Sequence, residues 1–187
     1  ADLRKQAYVA LRAFQKGLSV SANLILNRWD THTKNDLYQT NRMFTLFRAL
    51  MYIKDAAESL VIRDPSGAEI GTVADRLNIV VGSDFGRTTY YSNQGNLDSG
   101  KDHHPVTSWM TMLWHQSKDS GLRVVGKTND AVLAAPLNDQ LQPVTDGSGT
   151  VLTPGLIHNE LRRLGGLSAG TIADDYPLQS APLTLWT

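Results

Sequence analysis

The spacing of apolar residues predicts two helices and two buried strands in the first half of the chain. Apolar residues recur at intervals of three and four over residues 2–16, which is typical of an amphipathic helix, and Gly17 follows as its C-cap. A longer stripe of the same kind over 37–60 predicts a long helix, with Asn35 or Asp36 as its cap. Two short apolar runs, 19–26 and 77–82, predict one strand before that helix and one after it.

Strand, long helix and strand in this order form a βαβ unit, in which the two strands pair in parallel. The run 77–82 is apolar almost throughout, which favours burial on both faces of a sheet. Further strands are predicted at 109–114 and 122–125, and a capped helix at 156–164. We therefore predict an α/β fold with a largely parallel sheet flanked by helices, and an irregular tail over 167–187.

Composition limits the functions that the chain can have. The 187 residues suit one domain, and 18 Lys and Arg balance 18 Asp and Glu, so the chain lacks the positive excess of a non-specific nucleic-acid binder. No run of eighteen apolar residues predicts a membrane span. Cysteine is absent, so any metal is held by Asp and His alone. The helical pattern starts at the first residues, so we expect any leader to have been removed.

The first polar cluster, WDTH, follows the first predicted strand and contains Asp30 and His32. In an extended chain residues two apart point the same way, so both side chains face one site. A carboxylate and an imidazole at that spacing can ligate one divalent metal. The alternative is a loop aspartate that caps a helix beside a solvent-exposed histidine.

The second cluster, SDFGRT, follows the second predicted strand and contains Asp84 and Arg87. Ligands of open α/β sheets bind outside the carboxyl ends of strands, where Asp84 falls, and Arg87 can hold an oxyanion with two hydrogen bonds. The alternative is an aspartate that bonds turn amides and pairs with Arg87 at the surface. The DFG tripeptide has no kinase signature beside it, so a kinase is excluded.

The third cluster, GKDHHP, closes a long polar stretch, 83–105, and loops of that length are usually functional or disordered. The alternative for the cluster itself is a plain surface loop. Histidine is the commonest metal ligand, so one histidine of the pair is expected to bind metal or substrate while a neighbour supports it. The remaining histidines, His115 and His158, lie in apolar segments and are expected to have packing or surface roles.

The three motifs in this order resemble a bacterial family known only as domain of unknown function 1501, with similarity from about Val20 to Gly166. Its members show WDTH, then S-E/D-FGRT, then G-R/K-DH-x-P. The family is similar to the alkaline phosphatase and sulfatase superfamily, metal-dependent hydrolases of phosphate or sulfate esters. The resemblance implies export to the periplasm or outside the cell, and residues 1–166 then correspond to the C-terminal part of such a domain.

The resemblance also implies roles for single residues. The implied ligands of a divalent metal (Zn, Mn or Ca) are Asp30, His32, Asp84 and His103. If the protein is a hydrolase, we expect Arg87 or Lys101 to offset charge that develops on a small anionic ester, and Asp102 or His104 to support the ligands.

The chain departs from the family pattern in two ways. Phe85 stands where the superfamily has a second histidine, so one metal lacks a ligand. The nucleophile belongs to an N-terminal half that is not matched here, so a missing N-terminal segment or a partner chain is expected to supply it. The alternative function is a non-catalytic binding or structural protein that retains the fold without hydrolysis.

Overall fold

The computed structural model describes residues 2–83, 85–104, 109–113, 124–130, 133–167, 169–170, 174–177 and 185, with backbone alone at 109–113. The chain divides into two compact units, Ala1–Lys118 and Asp119–Thr187. Among the described residues, no helix combines the length and the apolar character that crossing a bilayer requires. The predicted boundary between residues 166 and 167 stays a prediction.

The first predicted helix is confirmed as α1, Leu3–Gln15. Asp2 caps it, because its carboxylate accepts a hydrogen bond of 3.0 Å from the Arg4 amide. Gly17 follows the helix with a φ of +66°, a conformation that favours glycine. The apolar stripe of α1 contributes Ala7 and Leu11 to the core.

The long predicted helix is confirmed as α2, Asn35–Ser59. It begins two residues earlier than expected, so the predicted caps, Asn35 and Asp36, lie inside its first turn, and the capping position is held by Lys34 at a φ of +46°. The helix packs one apolar face on α1 and on the segment that follows it. Its buried core residues include Leu50, Ile53 and Ala57.

A short antiparallel hairpin follows α2 and completes the core of the first unit. It consists of β1, Val61–Arg63, and β2, Glu69–Thr72. Asp64 closes the turn by accepting hydrogen bonds from the amides of Ser66 and Ala68. A short 3₁₀ segment then places Val73, Ala74 and Leu77 against α1 and α2.

The strand predicted at 77–82 is confirmed as β3, Asn78–Gly82, but its pairing is antiparallel. It pairs with a strand whose backbone spans Trp109–Leu113, close to the predicted 109–114. Next along the chain after β3 come β4, Gly86–Tyr91, and β5, Lys101–His104, which form another antiparallel pair. We number the strand at Trp109–Leu113 β6. The stretch predicted as one long loop is therefore largely a hairpin.

The predicted parallel sheet is wrong. In the described parts of the chain, the three sheets are two-stranded and antiparallel, and helices do not flank a parallel sheet. The βαβ unit fails because the run 19–26 forms no strand: Val20 is 99% exposed, and the backbone amide and carbonyl of Ile25 bond the side chain of Gln6 instead of a neighbouring strand. An apolar run indicates a preference for burial, but a strand also needs a neighbouring strand that accepts and donates its backbone hydrogen bonds.

The second unit contains α3, Pro154–Leu164, in the place predicted. Thr153 caps it through a hydrogen bond of 3.3 Å from the Leu156 amide to its hydroxyl. Before α3 the chain makes isolated antiparallel bridges, two of them at Leu137. Of the strand predicted at 122–125, residues 122–123 lie outside the described residues, and 124–125 form no strand.

Candidate functional site

Three motif residues converge on the carboxylate of Asp30, two of them from distant parts of the sequence. His32 Nε2 lies 3.0 Å from Asp30 Oδ2, and His103 Nε2 lies 3.3 Å from Asp30 Oδ1. Arg87 donates from Nη2 to the same Oδ1. We call these four residues, Asp30, His32, Arg87 and His103, the Asp30 cluster. The first, second and third motifs each contribute to it, although they lie up to 73 residues apart.

The WDTH segment presents Asp30 and His32 outward because Thr31 between them points inward. The Thr31 hydroxyl, which is buried, donates to Asn35 Oδ1 over 2.7 Å at the start of α2. Gln39, one turn further along α2, donates from Nε2 to the Trp29 carbonyl over 2.7 Å. Alternation of side chains in an extended segment then turns residues 30 and 32 to the other side.

Gly100 lets the first and third motifs come into backbone contact. A Cβ at this position would lie 2.5–2.6 Å from the backbone atoms of His32, closer than any carbon side chain tolerates. The Lys34 amide donates to the Asp98 carbonyl over 2.7 Å, and Thr33 bridges to Ser99. The glycine of the GKDHHP motif therefore has a packing reason: a larger residue would collide with the His32 backbone.

The β4–β5 hairpin places Arg87 and His103 side by side. The two residues are direct partners across the antiparallel ladder, so their side chains share one face. Phe85 supports both: its ring centroid lies 4.2 Å from that of His103 and 5.4 Å from the Arg87 guanidinium carbon. Phe85 thus packs on a candidate ligand.

The electrostatics of the cluster centre on Asp30. The hydrogen bond from Arg87 lowers the pKa of the Asp30 carboxyl from 3.8 to about 2, with smaller contributions in the same direction from His103 and His32. The carboxylate is therefore ionised at any physiological pH. The side chain of Arg87 is only 13% exposed, whereas that of His32 is 74% exposed, so the cluster is a surface site built on a mostly buried cation.

Lys101 lies in a neighbouring group rather than at Asp30. Its Nζ is 3.7 Å from Asp36 Oδ1 and lies 4.9 Å from the centre of the Tyr91 ring, and the Tyr91 hydroxyl donates to Asp36 Oδ2. We call Asp36, Tyr91 and Lys101 the Asp36 cluster. The two clusters touch through the backbone, because Arg87 Nη1 donates to the Lys101 carbonyl over 2.6 Å.

The Asp36 cluster was missed from the sequence, and its two acidic hydrogen-bonding groups have perturbed pKa values. The bond from Tyr91 lowers the pKa of Asp36, and the same bond raises the pKa of Tyr91. Asp36 was interpreted as a helix cap, and Tyr91 lay inside the expected loop. A strand was not predicted here. Had one been predicted from Arg87 onward, alternation of its side chains would have put Tyr91, four residues later, on the same face as Arg87.

The remaining predicted site residues fall around the cluster. Asp84 lies outside the described residues. Asp102 accepts a hydrogen bond of 2.8 Å from the His103 amide, so its carboxylate supports the strand next to a candidate ligand. His104 is half-buried and pairs with Gly86 across the ladder.

The fit of the cluster to a metal depends on its donors. Within the residues that the structure describes, no group of three or more His, Asp or Glu side chains has the geometry of a metal site. The donor chemistry of Asp30, His32 and His103 does fit a transition metal such as Zn²⁺ or Mn²⁺, whereas two imidazoles are poor ligands for Ca²⁺. Arg87 already occupies Asp30 Oδ1, so the cation and the guanidinium compete for one oxygen.

No protein-family model, curated protein or solved structure matches this chain.

Proposed function

We propose that the Asp30 cluster is the metal- and anion-binding part of a hydrolase of phosphate or sulfate esters. One observation carries the proposal: imidazole nitrogens from the first and third motifs lie within 3.3 Å of one carboxylate, one on each oxygen. Two histidines and an aspartate from distant parts of a chain are an unusual set for a surface with no chemical role.

Each residue of the cluster has a distinct role in the proposal. Asp30, His32 and His103 hold the divalent metal, with Asp84 as the fourth ligand that the resemblance implies. The metal, when bound, polarises an oxygen of the ester. Arg87 stabilises the charge that develops on the transferred group. Lys101 acts through its backbone carbonyl, which orients Arg87, while its ammonium group stays with Asp36.

The proposal assigns the nucleophile to a partner segment or chain, as the resemblance implies, and the substrate to the small anionic esters. The described chain then contributes binding and charge compensation. We expect the purified chain to bind metal but to turn over aryl phosphates or sulfates only when the partner is present.

Metal titration with matched histidine variants tests the proposal. Zn²⁺ and Mn²⁺ are titrated into the purified chain by calorimetry, and the bound metal is counted after dialysis. We expect one metal per chain, lost in His32→Ala and in His103→Ala. The matched control is His158→Ala, an exposed histidine of α3 in the other unit, which should bind as the parent does. Equal binding in all three variants would overturn the proposal.

The ion pair between Arg87 and Asp30 favours a second candidate, a non-catalytic protein that keeps the cluster for structure. A guanidinium that is 13% exposed and bonded to both Asp30 and the Lys101 carbonyl ties three segments together without a metal. In that case no metal binds, a chelator leaves the unfolding midpoint unchanged, and Arg87→Gln lowers it.

A further inference from the structure

The outer face of α2 is an apolar stripe with helical-pairing spacing. Leu37, Phe44 and Met51 follow one another at intervals of seven, and Thr40 and Phe47 lie three residues after the first two. This is the a and d pattern of a helix that pairs with another helix. We call these five residues the α2 seam.

The seam lies opposite the face that α2 buries in its own core. Ile53 and Ala57 are at most 5% exposed, whereas Phe44 is 62% and Phe47 is 53% exposed. A helix that is apolar on two faces needs a partner for each face. Among the described residues, the first unit covers one face of α2, with α1 and the segment after the helix, and leaves the seam exposed. Large aromatic side chains clustered on a surface are typical of an interface.

The charges at the two ends of the seam point to what covers it. Lys34 and Asp36 precede its first residue, and Lys54 and Glu58 continue its a and d positions beyond Met51. In a parallel pair of identical helices, Lys54 would meet Lys54 and Glu58 would meet Glu58. In an antiparallel pair the ends exchange, so that Glu58 of one copy comes beside Lys34 of the other. Lys54, which holds Glu58 of its own helix over 2.9 Å, then lies opposite Leu37 instead of a second Lys54.

We propose that this face binds a second copy of the chain, with the two α2 helices antiparallel. In the register that matches a to d positions, Phe44 of one copy packs on Phe47 of the other, and Thr40 packs on Met51. A two-fold axis produces every contact twice, as an isologous dimer requires. Opposed helix directions also bring each positive N-terminus to the negative C-terminus of the other copy.

The mass of the chain in solution tests the dimer. Light scattering during gel filtration, repeated over a dilution series, should give twice the mass of one chain at high concentration and the mass of one chain for Phe47→Glu. The matched control is Val9→Glu, which places the same charge at an exposed apolar residue of α1 and should leave the dimer intact. Circular dichroism checks that both variants keep their helix content.

The absence of cysteine allows a second test that needs no disruptive variant. Thr40→Cys and Met51→Cys chains are oxidised separately and as a mixture. The antiparallel register predicts that the mixture cross-links far more than either chain alone. Three results would each overturn the proposal: a monomer at every concentration, a dimer that survives Phe47→Glu, or predominant self-linking of Thr40→Cys. A monomer at every concentration is also the result expected if a different protein covers the seam.

Discussion

The Asp30 and Asp36 clusters take two side chains each from the same hairpin, yet they are built from different chemistry. Each has an exposed carboxylate whose pKa is lowered by one dominant hydrogen bond, from Arg87 in the first and from Tyr91 in the second. The Asp30 cluster adds two imidazoles, whose ring nitrogens are metal ligands in many proteins. The Asp36 cluster adds the ammonium group of Lys101 and a phenol, Tyr91, whose pKa is raised by its hydrogen bond to Asp36. The two carboxylates therefore have pKa values shifted in the same direction, but only the Asp30 cluster has side chains that commonly bind a transition metal.

Gly100→Ala is expected to have the largest effect, because it breaks the contact on which the Asp30 cluster depends. The new Cβ would meet the His32 backbone at 2.5–2.6 Å, and backbone cannot move aside cheaply. We expect a loss of about 1–3 kcal/mol in the free energy of unfolding, measured by urea denaturation. Gly155→Ala is the matched control, since its Cβ would meet only the Thr153 hydroxyl oxygen at 3.7 Å. Equal stabilities of the two variants would contradict the contact.

Thr31→Val should cost less, about 1 kcal/mol, because it removes the hydrogen bond that the buried hydroxyl donates to Asn35 and the longer one that it accepts from Gln39. Asn35 bonds both Thr31 and Asp36, so this substitution tests whether the same hydrogen-bonded residues hold both clusters in place. Urea denaturation gives the stability, and Thr33→Val, at an exposed neighbour, should be close to neutral. A neutral Thr31→Val would show that the buried hydroxyl does not anchor the WDTH segment.

Arg87→Gln tests whether the two clusters are electrostatically separate. Removal of the guanidinium should raise the pKa of Asp30 from about 2 toward 3.8, followed by NMR titration of its carboxyl carbon. Lys101→Gln removes a cation from the other cluster and should leave the Asp30 titration where it was. If the two variants shifted Asp30 alike, the clusters would be one electrostatic unit.

The smallest expected effect is a difference in how stability depends on pH. The lowered pKa of Asp30 gives stability that is present above pH 3.8 and is lost as the pH falls through about 2. Tyr91 has a raised pKa, so its contribution is present below pH 10.0 and is lost at higher pH, as the folded protein itself titrates.

Thermal unfolding scans at acid and alkaline pH test this difference. Asp30→Asn should flatten the acid side only. Tyr91→Phe should flatten the alkaline side, and it should also remove the latest-titrating tyrosinate from the ultraviolet absorbance. An alkaline slope that survives Tyr91→Phe would contradict the assignment.

Local patterns predicted the elements whose stability is local. The helix α1, most of α2 and the capped start of α3 at Thr153 all follow from residues within a few positions of one another. The predicted strand over 19–26 failed because ladder pairing depends on a distant partner. The hairpin of β4 and β5 was missed because its strands are rich in charged and polar residues, which apolar patterning does not detect.

The candidate site shows the same division. The motifs singled out Asp30, His32, Arg87 and His103, and alternation in the WDTH segment was enough to put the first two on one side. That His103 lies at Asp30 depends on its register opposite Arg87, which no spacing in the chain specifies. The position of Lys101 at Asp36 depends on the same hairpin and could not be anticipated.

The sequence by itself determined which residue types are available: no thiol, a balanced charge, and three motifs with a carboxylate, a guanidinium and histidines. It also determined the helices, because their hydrogen bonds close within four residues. The tertiary structure alone decided the antiparallel pairing and the meeting of the three motifs at one carboxylate. Those contacts join residues 57 and 73 positions apart, and their geometry depends on the packing of the chain between them.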